Sequence, residues 1–94
     1  SQNKATTLIF YANDPSGLAY TTIMVTSPQS PAPLIRTCDH TIAHPPFAAC
    51  WLTVPANQWV TGTTILVSAI DYSSNRNTAL EGYKIVPSGQ LRGD

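Results

Sequence analysis

Charged side chains are scarce in this chain. Asp, Glu, Lys and Arg make up 11% of its 94 residues, five of each sign, for a formal net charge of zero. A nucleic-acid-binding surface normally shows a basic surplus or a basic stripe, so this balance disfavours that class and no nucleic-acid partner is expected. Long apolar runs are missing too. No segment approaches the roughly twenty apolar residues that cross a bilayer as a helix, so membrane insertion is not expected. The start, Ser1-Gln-Asn-Lys4, has neither an initiator Met nor a signal-peptide pattern, and the expectation is a mature fragment or one domain of a longer chain. No apolar stripe recurs at i, i+3 and i+4, and eight prolines interrupt the chain too often for helices. No Gly-x-Ser-x-Gly elbow or Asn-x-Ser/Thr sequon occurs. Both histidines fall in one loop, away from the acidic corners described below, so a non-enzymatic role is expected.

What is present points to one extracellular β-domain. Ninety-four residues suffice for a single core. Thr, Ser, Asn and Gln supply the polarity, a mix typical of secreted β-modules. Cys38 and Cys50 enclose eleven residues, and in this setting they are expected to form a disulfide closing a local loop, in an oxidising compartment. The alternative is a pair of buried free thiols. A zinc site is disfavoured, because Cys38, His40, His44 and Cys50 do not have the usual paired spacing.

Alternation of apolar residues at a period of two marks the strands. They are expected over Thr6 to Ala12, Leu18 to Thr26, Leu34 to Thr37, Ala49 to Val54, Thr63 to Ile70 and Thr78 to Val86. The sandwich should occupy residues 5–86, with 87–94 a linker or tail. Two stretches share one pattern. Leu8, Phe10 and Ala12 lead to Asp14 and Ser16; Ile65, Val67 and Ala69 lead to Asp71 and Ser73. Each copy is a half-buried strand that runs into a turn built by short polar side chains. The inward set is expected to be Leu8, Phe10, Ala12, Ile23, Val25, Leu52, Ile65, Val67, Ala69, Tyr83 and Ile85.

Ala12-Asn-Asp14-Pro-Ser-Gly17, and later Gly62-Thr-Thr followed by an alternating strand and Ala69-Ile-Asp71-Tyr-Ser-Ser-Asn75, resemble bacterial immunoglobulin-like modules, hyalin repeats among them. The resemblance spans roughly Leu8 to Ile85. It implies an immunoglobulin-like antiparallel two-sheet β-sandwich of six or seven strands. The chain departs from the family at Ser74, where the family has Gly, and in its first strand, which has almost no counterpart ahead of Thr6.

Two sets of residues are candidates for binding. Asp14 and Asp71, with Asn13 and Asn75, offer oxygen ligands for calcium; the alternative is that each Asp caps its own turn. No other cofactor is expected. Tyr11, Tyr20, Phe47, Trp51, Trp59 and Tyr72 offer flat faces with polar tips that suit sugars or protein partners. Trp51 lies within a strand and so is expected in the core or on a sheet face, whereas Trp59 and Phe47 fall in loops and are expected to be exposed. The resulting expectation is a non-catalytic spacer or docking module whose partners are neighbouring domains of a secreted or cell-surface protein. The alternative is a module that binds polysaccharide or a cell-surface protein through Trp51, Trp59, Tyr72, Phe47 and the Cys38–Cys50 loop.

Overall fold

The computed structural model describes residues 4–74, 76–85 and 91–93. The elements, in chain order, are β1 (Thr6–Asn13), β2 (Leu18–Thr26), β3 (Leu34–Asp39), β4 (Phe47–Val54), a single 3-10 turn (Ala56–Gln58), β5 (Thr64–Asp71), β6 (Thr78–Ile85) and β7 (Leu91–Gly93). All pairings are antiparallel, and they make two sheets, β1-β4 and β3-β2-β5-β6-β7. The result is an immunoglobulin-like sandwich. β1 beside β4, and β2 beside β5 beside β6, reproduce the B–E and C–F–G neighbours of that fold. Among the described residues nothing stands in the place of a first strand next to β1.

The period-two alternation sets the register of the core. Ile23 pairs with Val67 and Val25 with Ile65, so four β-branched side chains meet in two adjacent rows. Ile65 continues its row to Tyr83 on β6. The inward residues of the smaller sheet, Leu8 and Phe10 on β1 and Cys50, Leu52 and Val54 on β4, pack onto these rows. A bulge between Leu18 and Tyr20 buries both Leu18 and Ala19, two adjacent residues that strict alternation would send to opposite faces.

Cys38 and Cys50 are joined, with their Cα atoms 5.9 Å apart. Cys38 lies on β3 and Cys50 on β4, so the bond does more than close a local loop; it fastens the two sheets together. Closing a ring of this size is worth about 3 kcal/mol in the chain-entropy account.

Two expectations fail here. Trp59 is not an exposed loop residue; it is 4% exposed and belongs to the core with Val54, Ile65 and Ile85. The reason lies in the turn before it. Pro55 starts a 3-10 turn, and the buried Thr63 hydroxyl donates to the Gln58 carbonyl at 2.8 Å. The loop is thereby folded back over the end of the sandwich, and the indole closes it. The C-terminal segment is also not all tail, because Leu91–Gly93 adds a short strand to the edge of the larger sheet through pairs with Tyr83 to Ile85. Residues 87–90 and 94 lie outside the described residues.

Candidate functional site: the outer face of the two-stranded sheet

Strand alternation gives β1 and β4 a second face, turned away from the core. On β1 it carries Thr7, Ile9, Tyr11 and Asn13; on β4 it carries Phe47, Ala49, Trp51 and Thr53. Direct pairing sets Ile9 opposite Trp51, Tyr11 opposite Ala49 and Asn13 opposite Phe47. Tyr11 and Phe47 are then diagonal neighbours, and their rings stack with centroids 6.0 Å apart and planes 15° from parallel. Arg36 reaches across from β3 and holds its guanidinium 4.2 Å from the centroid of the Trp51 ring.

Most of this face is bare. Exposure is 53% for Ile9, 61% for Tyr11, 58% for Phe47 and 49% for Trp51. Scattered exposed apolar residues are normal on a protein surface, but four on one two-stranded face form a patch, and patches mark contact sites. Its residue types are those enriched at interfaces: Tyr, Trp, Phe and Arg, with no Lys, Glu or Asp among the eight outward positions. The Thr7 and Thr53 hydroxyls, hydrogen-bonded at 2.9 Å, form its polar margin at one end.

Of the aromatic candidates, the structure brings Trp51, Phe47 and Tyr11 together on this face. It places Trp59 in the core and Tyr20 on β2 of the other sheet. Tyr72 is half-buried in the turn after β5, stacked on His44 (centroids 3.5 Å apart) with the Arg76 guanidinium 4.3 Å from its ring. Phe47 is exposed as expected, but as the first residue of β4 rather than as a loop residue. Ile9 and Arg36 were not among the candidates. The odd-numbered positions of β1 held the signal for Ile9, since the residues between Leu8, Phe10 and Ala12 must face outward. Arg36 had none, because its partner lies on the other sheet.

The two corner carboxylates build turns. Asp14 Oδ1 accepts from the Ser16 N–H at 2.8 Å. Asp71 Oδ1 accepts from the Ser73 hydroxyl at 2.7 Å, the Ser73 N–H at 3.2 Å and the Asn77 N–H at 2.9 Å, while its Oδ2 accepts from the Asn77 amide at 3.2 Å. A third corner repeats the device: Asp39 Oδ1 accepts from the Thr41 N–H at 2.8 Å and the Thr41 hydroxyl at 2.6 Å. The Ser73 hydroxyl is the main influence holding the Asp71 carboxyl below the usual carboxylate range; the Ser73 N–H and the Asn77 groups reinforce it, and burial opposes it. Asp39 is lowered in the same way, chiefly by the Thr41 hydroxyl. The Asp14 and Asp71 corners are tied together, since the Tyr72 N–H donates to the Gly17 carbonyl at 2.8 Å. Asp14 and Asp71 line one small cavity of about 140 Å³ with Asn13 and Asn77. Asn75 lies outside the described residues; Arg76, after it, has a positive φ of 50°. Among the described residues there is no group of three or more His, Cys, Asp or Glu that could hold a metal ion.

No family model, no curated protein and no solved structure matches this chain.

Proposed function

We propose that this domain is a non-catalytic immunoglobulin-like accessory module that docks onto a protein surface, such as a neighbouring domain of a larger secreted or cell-surface protein, through the outer face of its β1-β4 sheet. The observation that carries this reading is the contiguous exposed group Ile9, Tyr11, Phe47 and Trp51, with Arg36 laid against Trp51. A protein surface suits this face because covering it removes large apolar area from water and none of the eight outward side chains of β1 and β4 is charged; Arg36, beside Trp51, is a cation that a partner carboxylate would match. The Cys38–Cys50 bond supports an oxidising, extracellular setting. Among the described residues no helix is long and apolar enough to cross a membrane. The carboxylates at the three corners are engaged in their own turns, which supports a structural rather than a catalytic use of them.

Trp51 reports on this directly. In a Trp59→Phe background, acrylamide quenching of Trp51 fluorescence should be strong in the isolated chain. It should fall when the same module is measured within its parent polypeptide. Equal quenching in both settings would refute docking through this face. A second reading, polysaccharide binding, is favoured by the near-parallel Tyr11 and Phe47 rings, which present flat surfaces of the kind sugars stack on. Titration with β-glucan, xylan and chitin oligosaccharides separates the two. Quenching or a blue shift of Trp51 that disappears in Tyr11→Ser would favour sugar.

A further inference from the structure

The two sheets are unequal, two strands against five, and the shortfall falls on one side. The Cys38–Cys50 bond holds β4 over β3, at the margin of the larger sheet. β1 therefore lies nearer the middle, and the inner faces of β5 and β6 extend beyond it with no covering strand among the described residues. Burial along β6 records this. Its inward residues run from Ile85, fully buried, through Tyr83, half-buried, to Glu81 and Ala79, both exposed. Leu8 and Phe10, the inward residues of β1, are only half-buried, whereas Ile23 and Val25 on β2 are fully buried. Between them runs an open groove of about 430 Å³ lined by Leu8, Phe10, Ile23, Ile65, Val67 and Tyr83. Among the described residues of its lining the charged one is Glu81, which lies in the row Ile23–Val67–Glu81 and accepts a hydrogen bond from the Tyr83 hydroxyl.

The rim of this groove is the open edge of β1. Among the described residues β1 pairs with β4 alone, so half of its backbone N–H and C=O groups point towards the groove side with no described strand to receive them. Exposed edges are ordinarily blunted by charge, proline or bulges. Thr6–Asn13 carries no charged residue and no proline, and its register with β4 is unbroken. β3, the opposite edge of the larger sheet, carries Arg36 and Asp39 and follows a segment with three prolines.

We propose that this edge accepts an extended strand from a partner polypeptide, apolar at every second residue and carrying a basic side chain level with Glu81. Backbone groups along β1 specify a strand, because only an extended chain presents donors and acceptors at the matching spacing. The groove specifies the alternation, since every second side chain of such a strand would point down onto Ile65, Val67 and Tyr83. Glu81 specifies the charge. A second folded copy does not fit. Antiparallel pairing of β1 with its own copy keeps both inner faces on the same side. The overhanging β5, β6 and β7 of the two copies, each about 4.8 Å further out, would then occupy the same volume. Within these 94 residues, Leu91–Gly93 is already paired to β6, and Ser1-Gln-Asn-Lys-Ala5 contains no large apolar side chain. This surface meets the outer face proposed above for docking along β1, where Ile9 and Tyr11 also line the groove; Trp51, which belongs to the outer face and does not line the groove, separates the two in the test.

The test uses the whole 94-residue chain, isotopically labelled for NMR and titrated with the acetylated, amidated heptapeptide Lys-Thr-Val-Thr-Val-Thr-Val, in which the lysine shares a face with the valines. Two controls are the same peptide N-methylated at all valines, or at all threonines, which blocks one or the other set of edge hydrogen bonds. Binding should perturb amides of β1, β5 and β6. One of the two methylated peptides should bind about tenfold more weakly or worse. Glu81→Lys, at an exposed position, should weaken the lysine-bearing peptide, and Glu81→Gln should do so to a lesser degree. Trp51→Ser should leave binding unchanged. The proposal is overturned by any one of four results: no binding up to about 1 mM; equal binding of both methylated peptides, which would mean adhesion without edge pairing; loss of binding in Trp51→Ser, which would place the peptide on the outer face; or self-association that the peptide displaces, which would put a second copy in the groove.

Discussion

Trp59 is the side chain whose loss should cost the fold most, and the cost can be worked from its surroundings. An indole of this kind buries about 200 Å², and at about 25 cal/mol per Å² its transfer from water contributes roughly 5 kcal/mol. Its Nε1 is buried without a hydrogen-bond partner, as is Gln58 Oε1 beside it in sequence. Removing the ring relieves the first of those penalties, about 1–3 kcal/mol, while the cavity left between Val54, Ile65 and Ile85 acts in the opposite direction. The net expectation for Trp59→Ala is a loss of about 3–5 kcal/mol, most of the stability of a domain this small. Trp51→Ala is the matched control. Half its surface is already in water, and it gives up the Arg36 contact, worth about 0.5–1 kcal/mol at an exposed site. Urea unfolding followed by far-UV circular dichroism, with the disulfide intact, measures both. Trp59→Phe should fall between the two and keeps the comparison readable if Trp59→Ala does not fold. A Trp51→Ala loss equal to or larger than that of Trp59→Ala would show that the assignment of core and surface tryptophans is reversed.

Gly17 and Gly62 have similar positive φ values, 88° and 93°, but different surroundings. A Cβ at Gly17 would lie 2.5 Å from the His44 carbonyl oxygen, whereas at Gly62 its nearest neighbour is Pro28 Cγ at 3.8 Å. Gly62→Ala should cost the left-handed strain alone, about 1–2 kcal/mol, and Gly17→Ala should cost distinctly more in the same unfolding assay; equal losses would contradict the backbone contact. The Asp71 carboxyl is lowered in the folded state from an ordinary 3.8, so its contribution is complete above that value and is lost as pH falls through the folded pKa. Unfolding midpoints measured from pH 6 downward, over about four pH units, should therefore fall less steeply in Asp71→Asn than in the parent chain, with Asp39 adding to the slope in both; parallel profiles would remove Asp71 from the account. Reducing the Cys38–Cys50 bond should lower stability by about 3 kcal/mol, read as a shift of the urea midpoint with reductant, and an unmoved midpoint would show that the bridge adds no constraint.

Much of the fold was legible because it is written locally. Leu8, Phe10 and Ala12, like Ile65, Val67 and Ala69, alternate at the period of a strand, and a period-two pattern leaves little freedom in which face is buried. Asp14 with Ser16, and Asp71 with Ser73, close their turns within a few residues of chain, so the resemblance between the two stretches carried over directly into two linked corners. Asp39 with Thr41 is the same device and could have been read in the same way. The candidate surface was only half legible. Phe47, Trp51 and Tyr11 stood out as aromatics, but their meeting on one face depends on β1 and β4 being neighbours, although more than thirty residues separate them.

What the sequence determined by itself was the presence of strands β1 to β6, most of their inward residues, the Asp14 and Asp71 turns and the pairing of the cysteines, all of which follow from short-range periodicity and side-chain chemistry. Tertiary structure alone decided which tryptophan fills the core, because a turn pinned by Thr63 sends Trp59 inward while strand parity sends Trp51 out. It also decided that two strands face five. That division depends on which strands share a sheet, a choice made by the packing of the whole chain, and it creates both the bare aromatic face and the open edge of β1.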